Sequence, residues 1–127
     1  MTKIKTAIVL WALVLLAGCG GGSAVTYQNM TVHELKNRME QEDLFIVDVH
    51  IPEQRHIKGT DLFVPFDKIT TNAEKFPADK DETIIVYCRS GNMSVDSSID
   101  LVDMGYKNVF NVVEGINAWK AAGYPLE

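Results

Sequence analysis

Short apolar runs alternate with amphipathic stretches along most of the chain. The runs that have the composition of strands are Leu44–Val49, Leu62–Pro65, Ile84–Tyr87 and Val109–Val113. Continuous apolar runs rich in β-branched residues are typical of strands buried on both faces, which occur in parallel sheets. The alternation of such runs with helical stretches predicts an α/β fold, with a mostly parallel central sheet of about five strands and helices on both faces.

Helical spacing fills the segments between these runs. Thr31 and Glu34 match a capping box, which predicts a helix from Val32 to about Gln41. Further helices are predicted over Phe66–Phe76, over the stretch that carries Val95, Ile99 and Val102 on one face before Gly105, and over Ile116–Ala122. We expect the apolar face of each helix, including Trp119 in the last one, to pack on the sheet.

The N-terminus has a different pattern. Lys3 and Lys5 precede the apolar run Ala7–Ala17, which is shorter than the roughly 20 residues that a membrane-spanning helix needs. A basic start, a short apolar segment and a small-residue end are typical of a secretory signal. The end, Leu16-Ala17-Gly18-Cys19, resembles the bacterial lipobox.

This resemblance implies that residues 1–18 are a lipoprotein signal peptide and that Cys19 becomes a lipidated N-terminus. Residues 19–26, with Gly20-Gly21-Gly22-Ser23, would then form a flexible tether, and residues 27–127 the domain. We therefore expect a lipid-anchored protein of the bacterial cell envelope that faces the periplasm or the exterior. The alternatives are an ordinary signal peptide with Cys19 free, or an uncleaved anchor.

Composition adds two limits. A chain of 127 residues with 46% hydrophobic residues is sufficient for one small domain with one core. Its net charge of −5 argues against nucleic acid as a partner. If Cys19 is bound to lipid, Cys88 is a lone thiol in an oxidising compartment, so it is either inert or functional.

The position of Cys88 favours function. It ends the apolar run Ile84–Tyr87 and is followed by turn-prone residues and then by a helical stretch. A cysteine between a parallel strand and a helix lies at the carboxyl edge of the sheet, where open α/β sheets place their sites. Loop N–H groups and the positive end of the helix then favour the ionised sulfur. The sequence predicts a nucleophile, the alternative being a buried structural cysteine.

The segment Tyr87–Ser94, YCRSGNMS, resembles the active-site loop of the rhodanese (sulfurtransferase) superfamily. The family pattern is Cys, four residues, Arg or Lys, and then Ser or Thr. Its catalytic cysteine falls on Cys88 and its terminal hydroxyl on Ser94. The chain departs from the pattern at Met93, where a cationic side chain is usual.

Two further blocks carry the resemblance over roughly residues 27–127. The superfamily pattern Asp-Val-Arg, Pro-Glu and His-Ile-x-Gly-Ala is matched by Asp48-Val49-His50, Pro52-Glu53 and His56-Ile57-Lys58-Gly59-Thr60, so that His50 replaces an arginine. The C-terminal block runs from Gly105 to Pro125 and includes Trp119, with Glu114 in place of one of the paired glycines.

The resemblance implies a persulfide on Cys88, formed from thiosulfate, a polysulfide or a persulfide and passed to a thiol or to cyanide. The backbone N–H groups that would stabilise its anion belong to Arg89, Ser90, Gly91, Asn92 and Met93. Ser94 is expected either to donate its hydroxyl to the sulfur or to cap the helix. We expect Asp48 and His50 at the rim of the site, both in supporting roles.

No cofactor and no metal site are predicted, because the three histidines are too scattered to supply convergent ligands. Met93 cannot bind the sulfonate of thiosulfate as a cation would. We therefore expect thiosulfate to be a poor donor and a polysulfide or small persulfide to be a better one.

Two other classes of function remain. A catalytically weak rhodanese-like module that binds or senses partners is favoured by Met93 and Glu114. A cysteine phosphatase or arsenate reductase would need Cys-x5-Arg, and position 94 is Ser94, so this reading is poor. The sequence leaves the oligomeric state and the physiological donor and acceptor open.

Overall fold

The computed structural model describes residues 24–127, so the predictions for the signal peptide, for Cys19 and for most of the tether lie outside the described residues. The elements are β1 (Gln28–Met30), α1 (Val32–Met39), β2 (Phe45–Asp48), β3 (Leu62–Phe63), 3₁₀ helices at Phe66–Lys68 and Thr70–Lys75, β4 (Thr83–Tyr87), α2 (Asn92–Asp103), β5 (Asn108–Val112) and α3 (Gly115–Ala121). Within residues 24–127, every helix is too short or too polar to cross a bilayer.

The five strands form one sheet in the order β1-β5-β4-β2-β3, and every neighbouring pair is parallel. The predicted α/β architecture is thereby confirmed. Strand β1 was not predicted, because Gln28–Met30 is short and mostly polar. The central strand β4 pairs Tyr87 with Asp48, so Cys88 and Val49 leave the sheet at the same edge.

Both faces of the sheet are covered, which explains the continuous apolar sequence of β4. Ile84 and Val86 belong to one buried cluster, which also includes Leu101 of α2. Ile85 and Tyr87 belong to the cluster on the other face, which contains Leu35 of α1, Ile116 of α3 and the predicted core residue Trp119 of α3. Since successive side chains of a strand point to opposite faces, Cys88 lies on the α2 side with Ile84 and Val86.

Helix α1 begins as predicted. The backbone N–H of Glu34 donates to Thr31 Oγ at 3.2 Å, and the Thr31 N–H donates to Glu34 Oε2 at 2.7 Å. This reciprocal capping satisfies two N–H groups that have no partner inside the helix. The helix ends at Met39, two residues before the predicted end. The predicted helix over Phe66–Phe76 is replaced by the two 3₁₀ helices.

The predicted core face of α2 is wrong. Ile99 is 45% exposed, and Val95 and Val102 are only half-buried. The residues of α2 that are buried against the sheet are Leu101 and three serines, Ser94, Ser97 and Ser98. Burial of these serines is tolerated because each hydroxyl has a hydrogen-bond partner. Ser98, for example, donates to the Ser94 carbonyl at 2.6 Å.

Candidate active site

Cys88 is the residue that directly follows β4, and it is buried with 1% of its surface exposed. It is the free cysteine of the described residues 24–127. Its Sγ lies 3.1 Å from the backbone N of Gly91 and 3.3 Å from Ser94 Oγ. The sulfur therefore sits at the start of α2, where it accepts a hydrogen bond from the loop and feels the positive end of the helix dipole.

The tight loop depends on Gly91. This residue is the N-cap of α2, has φ of 102°, and provides no side-chain cap to the helix. A Cβ at this position would lie 3.3 Å from the backbone N of Glu114, so a larger residue would be both strained and crowded. Glycine thus lets the loop curve closely round the sulfur and direct its own N–H towards it.

Helix α3 holds the other side of the loop. Its first-turn N–H groups bind two loop carbonyls: Ile116 N donates to Cys88 O at 2.9 Å and Asn117 N to Arg89 O at 3.1 Å. In a trans peptide the N–H and C=O point in opposite directions, so these bonds turn the Arg89 and Ser90 N–H groups away from α3. Gly115 permits the approach, because a Cβ there would overlap the Cys88 carbonyl.

The side chains of the loop differ in burial. Arg89, Ser90 and Asn92 are exposed, whereas Met93 is half-buried and packs against the buried cluster that contains Cys88. The position at which the family pattern has a cation therefore contributes apolar surface beside the sulfur. A groove of about 410 Å³ borders the loop and is lined by Ser90, Glu114, Asn117, Ala118 and Ala121. Glu114, with φ of 60°, adds a carboxylate to this border.

Ser94 lies in the first turn of α2, and Gly91 is the N-cap, so the capping role considered for Ser94 is wrong. Its hydroxyl contacts Cys88 Sγ and donates to Asn111 Oδ1 at 2.5 Å. Asn111 Nδ2 in turn donates to Asn29 Oδ1 at 3.1 Å. Sequence reasoning missed Asn111 and Asn29. A polar residue in the middle of the apolar run Val109–Val113 was the signal that marked Asn111.

Asp48 is completely buried at the end of β2, next to the end of β4. Its Oδ1 accepts the His50 N–H at 3.0 Å, and its Oδ2 accepts from Gln54 Nε2 at 3.4 Å and from His56 Nδ1 at 2.8 Å. The carboxylate therefore ties the turn after β2 to the sheet. The predicted rim residue His50 is 8% exposed and bonds through Nδ1 to Pro52 O at 2.9 Å, on the same turn.

Two pKa values in this region are displaced. Burial lowers the pKa of His56, but hydrogen bonds to Asp48 and Glu53 outweigh this and leave the pKa above its ordinary value of 6.5. Burial, together with the negative charge of Asp48, raises the pKa of Tyr87 far above its usual value. The neutral Tyr87 hydroxyl accepts the Ile57 N–H at 3.0 Å and so supports the same turn.

The histidines do not converge. His33 pairs with the Tyr124 hydroxyl at 2.7 Å, while His50 and His56 are engaged in the turn after β2. Among residues 24–127, no three His, Cys, Asp or Glu side chains are grouped so that they could hold a metal ion. The chemistry that the arrangement supports is that of a single sulfur nucleophile at the carboxyl edge of a parallel sheet.

The chain is similar to known proteins. The family model of the rhodanese-like domain matches residues 31–122. The chain is 32% identical over 89 residues to a sulfurtransferase of Allochromatium vinosum, covering 68% of this chain and 81% of the relative. It is 31% identical over 98 residues to the thiosulfate sulfurtransferase GlpE of Coxiella burnetii, covering 75% of this chain and 89% of the relative.

A solved structure gives the same result. The crystal structure of a rhodanese-like domain protein from Staphylococcus aureus has a TM-score of 0.64 and 30% identity, covering 79% of this chain and 96% of that chain. The chain therefore belongs to the rhodanese-like family. This confirms the resemblance seen in the loop and in the blocks on either side of it, and it confirms the rhodanese-like α/β fold.

Proposed function

We propose that this domain is a sulfurtransferase or sulfane-sulfur carrier that forms a persulfide on Cys88 and passes the outer sulfur to a thiol or to cyanide. The observation that carries the proposal is the position of Cys88 Sγ, which accepts the Gly91 N–H at 3.1 Å at the start of α2. Membership of a family with relatives named as sulfurtransferases supports it.

In the first half-reaction, the Cys88 thiolate attacks the outer sulfur of a small persulfide, RSSH. The S–S bond of the donor breaks, its electron pair leaves with RS⁻, and a new bond joins Cys88 Sγ to the transferred sulfur. The product is Cys88–S–SH, and the exchange is neutral in oxidation and reduction. The Gly91 N–H and the first turn of α2 favour the thiolate that begins the reaction.

In the second half-reaction, an acceptor thiolate attacks the outer sulfur of Cys88–S–SH. The bond to Sγ breaks and its electron pair returns to Cys88 as the thiolate, while the acceptor leaves as a persulfide. With cyanide the product is thiocyanate, and the persulfide proton is released to solvent. Each cycle restores Cys88, so one cysteine is sufficient for turnover.

The donor we propose is a polysulfide or a small persulfide, with thiosulfate a poor one. Met93 packs on the cluster of Cys88 and offers no charge to a sulfonate. Asp96 lies on the exposed side of the first part of α2, and Glu114 borders the groove beside Ser90, so two carboxylates lie near the loop. Arg89 is the cation of the loop, and its side chain is exposed.

We also propose that the domain is held in the bacterial cell envelope by lipid on Cys19, facing the periplasm or the exterior. The support is the sequence alone: the basic start, the short apolar run and Leu16-Ala17-Gly18-Cys19. Metabolic labelling with a fatty acid analogue tests this part. Label on the wild type and none on Cys19→Ser is the expected result.

Intact-mass measurement tests the chemistry. The purified protein is exposed separately to polysulfide and to thiosulfate, and one added sulfur is expected on the wild type but not on Cys88→Ser. A folded protein that takes up no sulfur from either donor would contradict the proposal. That outcome would favour the alternative, a catalytically weak rhodanese-like module that binds or senses partners.

The identity of residue 93 tests the donor preference. Met93→Arg is expected to raise the rate of sulfur loading from thiosulfate by about tenfold, because a charge-assisted hydrogen bond to the sulfonate contributes about 1.5 kcal/mol. Met93→Gln, which is similar in size but neutral, is the matched control and should give no such gain. Equal rates for all three proteins with thiosulfate would show that residue 93 does not select the donor.

A further inference from the structure

Four side chains form a continuous hydrogen-bonded chain from the edge of the sheet to the sulfur. Asn29 and Asn111 are partners in the register of β1 and β5, and their side chains are joined by a bond of 3.1 Å. Asn111 Oδ1 accepts the Ser94 hydroxyl at 2.5 Å, and Ser94 Oγ lies 3.3 Å from Cys88 Sγ. Asn29 is exposed, and the other three residues are buried.

The donors and acceptors give this chain a direction. Asn111 directs its amide N–H to Asn29 Oδ1, so its oxygen faces Ser94. A serine hydroxyl has a single hydrogen, and in this arrangement Ser94 gives it to Asn111. Towards Cys88, Ser94 can then only accept, which suits a thiol that donates its S–H.

Ionisation of Cys88 changes the sulfur from a hydrogen-bond donor to an acceptor. A thiolate has no hydrogen to donate and must accept. Ser94 can serve it only by turning its hydrogen away from Asn111 Oδ1. Asn111 is 4% exposed, so its side-chain oxygen would then lose its partner in a buried setting, and this is unfavourable. Asn111 and the thiolate therefore compete for one hydrogen.

We infer that Asn111 is a positioning residue, which acts through Ser94 to set how readily Cys88 becomes a thiolate. Holding the hydroxyl hydrogen favours the thiol, and releasing it favours the reactive anion. Asn29 contributes by fixing the orientation of the Asn111 amide. The inference rests on the proposed function only in taking Cys88 as the nucleophile.

Ionisable side chains are also present in this region. Those on the loop and on the elements next to it include Arg89, Asp48, His50, Asp96, Glu114 and, on the 3₁₀ helix that packs against α2, Asp67 and Lys68. In the described part of the chain, none of them hydrogen-bonds to Asn29, Asn111, Ser94 or the Cys88 sulfur. They act on Cys88 through space and equally in every variant, so a comparison of variants isolates the hydrogen-bonded chain.

The experiment measures the rate at which iodoacetamide alkylates Cys88 as a function of pH, in the full chain. Asn111→Val removes the amide and introduces a β-branched side chain, which is suited to a strand. Because it frees the Ser94 hydrogen for the sulfur, we expect the midpoint of the rate curve to fall by about one pH unit. Asn111→Asp holds the hydrogen more strongly and adds negative charge, so the midpoint should rise.

The matched control is Asn108→Val on the same strand. Asn108 is exposed, and its side chain donates to the Asp81 carbonyl at 2.7 Å, so the midpoint should stay at the wild-type value. The second control repeats the substitutions in a Ser94→Ala background. There, Asn111→Val should no longer move the midpoint, because the residue that transmits its effect is absent.

An unchanged or higher midpoint for Asn111→Val would overturn the inference, as would an equal shift with and without Ser94. If Asn111→Val does not fold, Asn111→Asp decides in the same way: a rise of equal size in both backgrounds shows a charge effect only and overturns the inference. Alkylation needs no sulfur donor. If the alkylation midpoints shift as expected but Cys88 takes up no sulfur, the proposed function is contradicted and the inference about Asn111 still holds.

Discussion

The loops after β2 and β4 leave the same edge of the sheet side by side, but they differ in how many hydrogen bonds the protein provides to their buried polar side chains. After β2, the Asp48 carboxylate accepts from a backbone N–H, from Gln54 and from His56, and it is completely buried. After β4, the Cys88 sulfur has the Gly91 N–H and a hydroxyl that is already committed to Asn111.

This comparison indicates a structural role for the Asp48 carboxylate and is compatible with the proposed chemical role for the Cys88 sulfur. The acceptor positions of Asp48 are filled by the protein itself, so removing a partner costs stability. The sulfur of Cys88 is held in place through its own backbone, by the bonds from α3 to the Cys88 and Arg89 carbonyls. The Cys88 side chain is thereby fixed in position without a full set of hydrogen bonds to its sulfur.

The largest effect is expected when the backbone support of the β4 loop is removed. Gly115→Ala would place a Cβ against the Cys88 carbonyl at a residue with φ of 51°. Overpacking and left-handed strain together should lower the free energy of unfolding by about 3–5 kcal/mol and abolish sulfur loading. Urea unfolding and intact mass measure the two effects.

Gly123→Ala is the matched control for this prediction. Gly123 has φ of 73°, and a Cβ there would meet nothing within 4 Å. It should show the strain alone, about 1–2 kcal/mol, with sulfur loading retained. If the two variants lose equal stability, the close contact between α3 and the loop is not what supports the site.

The next largest effect is expected in the β2 loop. Asp48→Ala leaves the His50 N–H and the His56 ring without a buried acceptor, so the free energy of unfolding should fall by about 2–3 kcal/mol. The folded fraction should still load sulfur on Cys88. Asp48→Asn, which keeps one acceptor oxygen, should lose less, and Asp67→Ala at an exposed position should lose little. Loss of loading in folded Asp48→Ala would mean that Asp48 takes part in the chemistry.

The smallest effect is a dependence of stability on pH that originates in the β2 loop. The raised pKa of His56 means that its imidazolium stabilises the folded state fully below about pH 6.5. This contribution is lost as the pH rises through the folded-state value. The urea concentration at the midpoint of unfolding should therefore decrease as the pH rises from about 6.5 through the folded-state pKa of His56. The decrease should be smaller in His56→Gln and intermediate in Glu53→Gln, and equal slopes in all three proteins would contradict the prediction.

The sequence was sufficient to predict the parallel sheet, the capping box of α1 and the position of Cys88 at the end of a buried strand. Each of these follows from neighbours along the chain: continuous apolar runs, Thr31 with Glu34, and a glycine-containing turn after β4. The C-terminal position of Gly105 after α2 also matches, with φ of 99°.

What sequence reasoning missed depends on contacts between distant segments. Strand β1 exists because Gln28–Met30 pairs with β5, and its own sequence is too short and polar to indicate a strand. Ile99 was expected in the core, but serine hydroxyls that bond to nearby carbonyls allow the other face of α2 to approach the sheet. The roles of Asn111 and Gly115 became visible only with Ser94 and the Cys88 carbonyl beside them.

The parallel direction of β1 bears on how the domain would stand above a membrane. Gln28 is level with Phe110, and Phe110 is level with Ile85 of β4, so the chain enters the sheet about 10 Å before Cys88 and runs towards it. If Cys19 carries the predicted lipid, its tether joins the described domain at the end of the sheet opposite Cys88. A membrane attached at that end would leave the loop after β4 accessible to dissolved donors and to acceptor thiols.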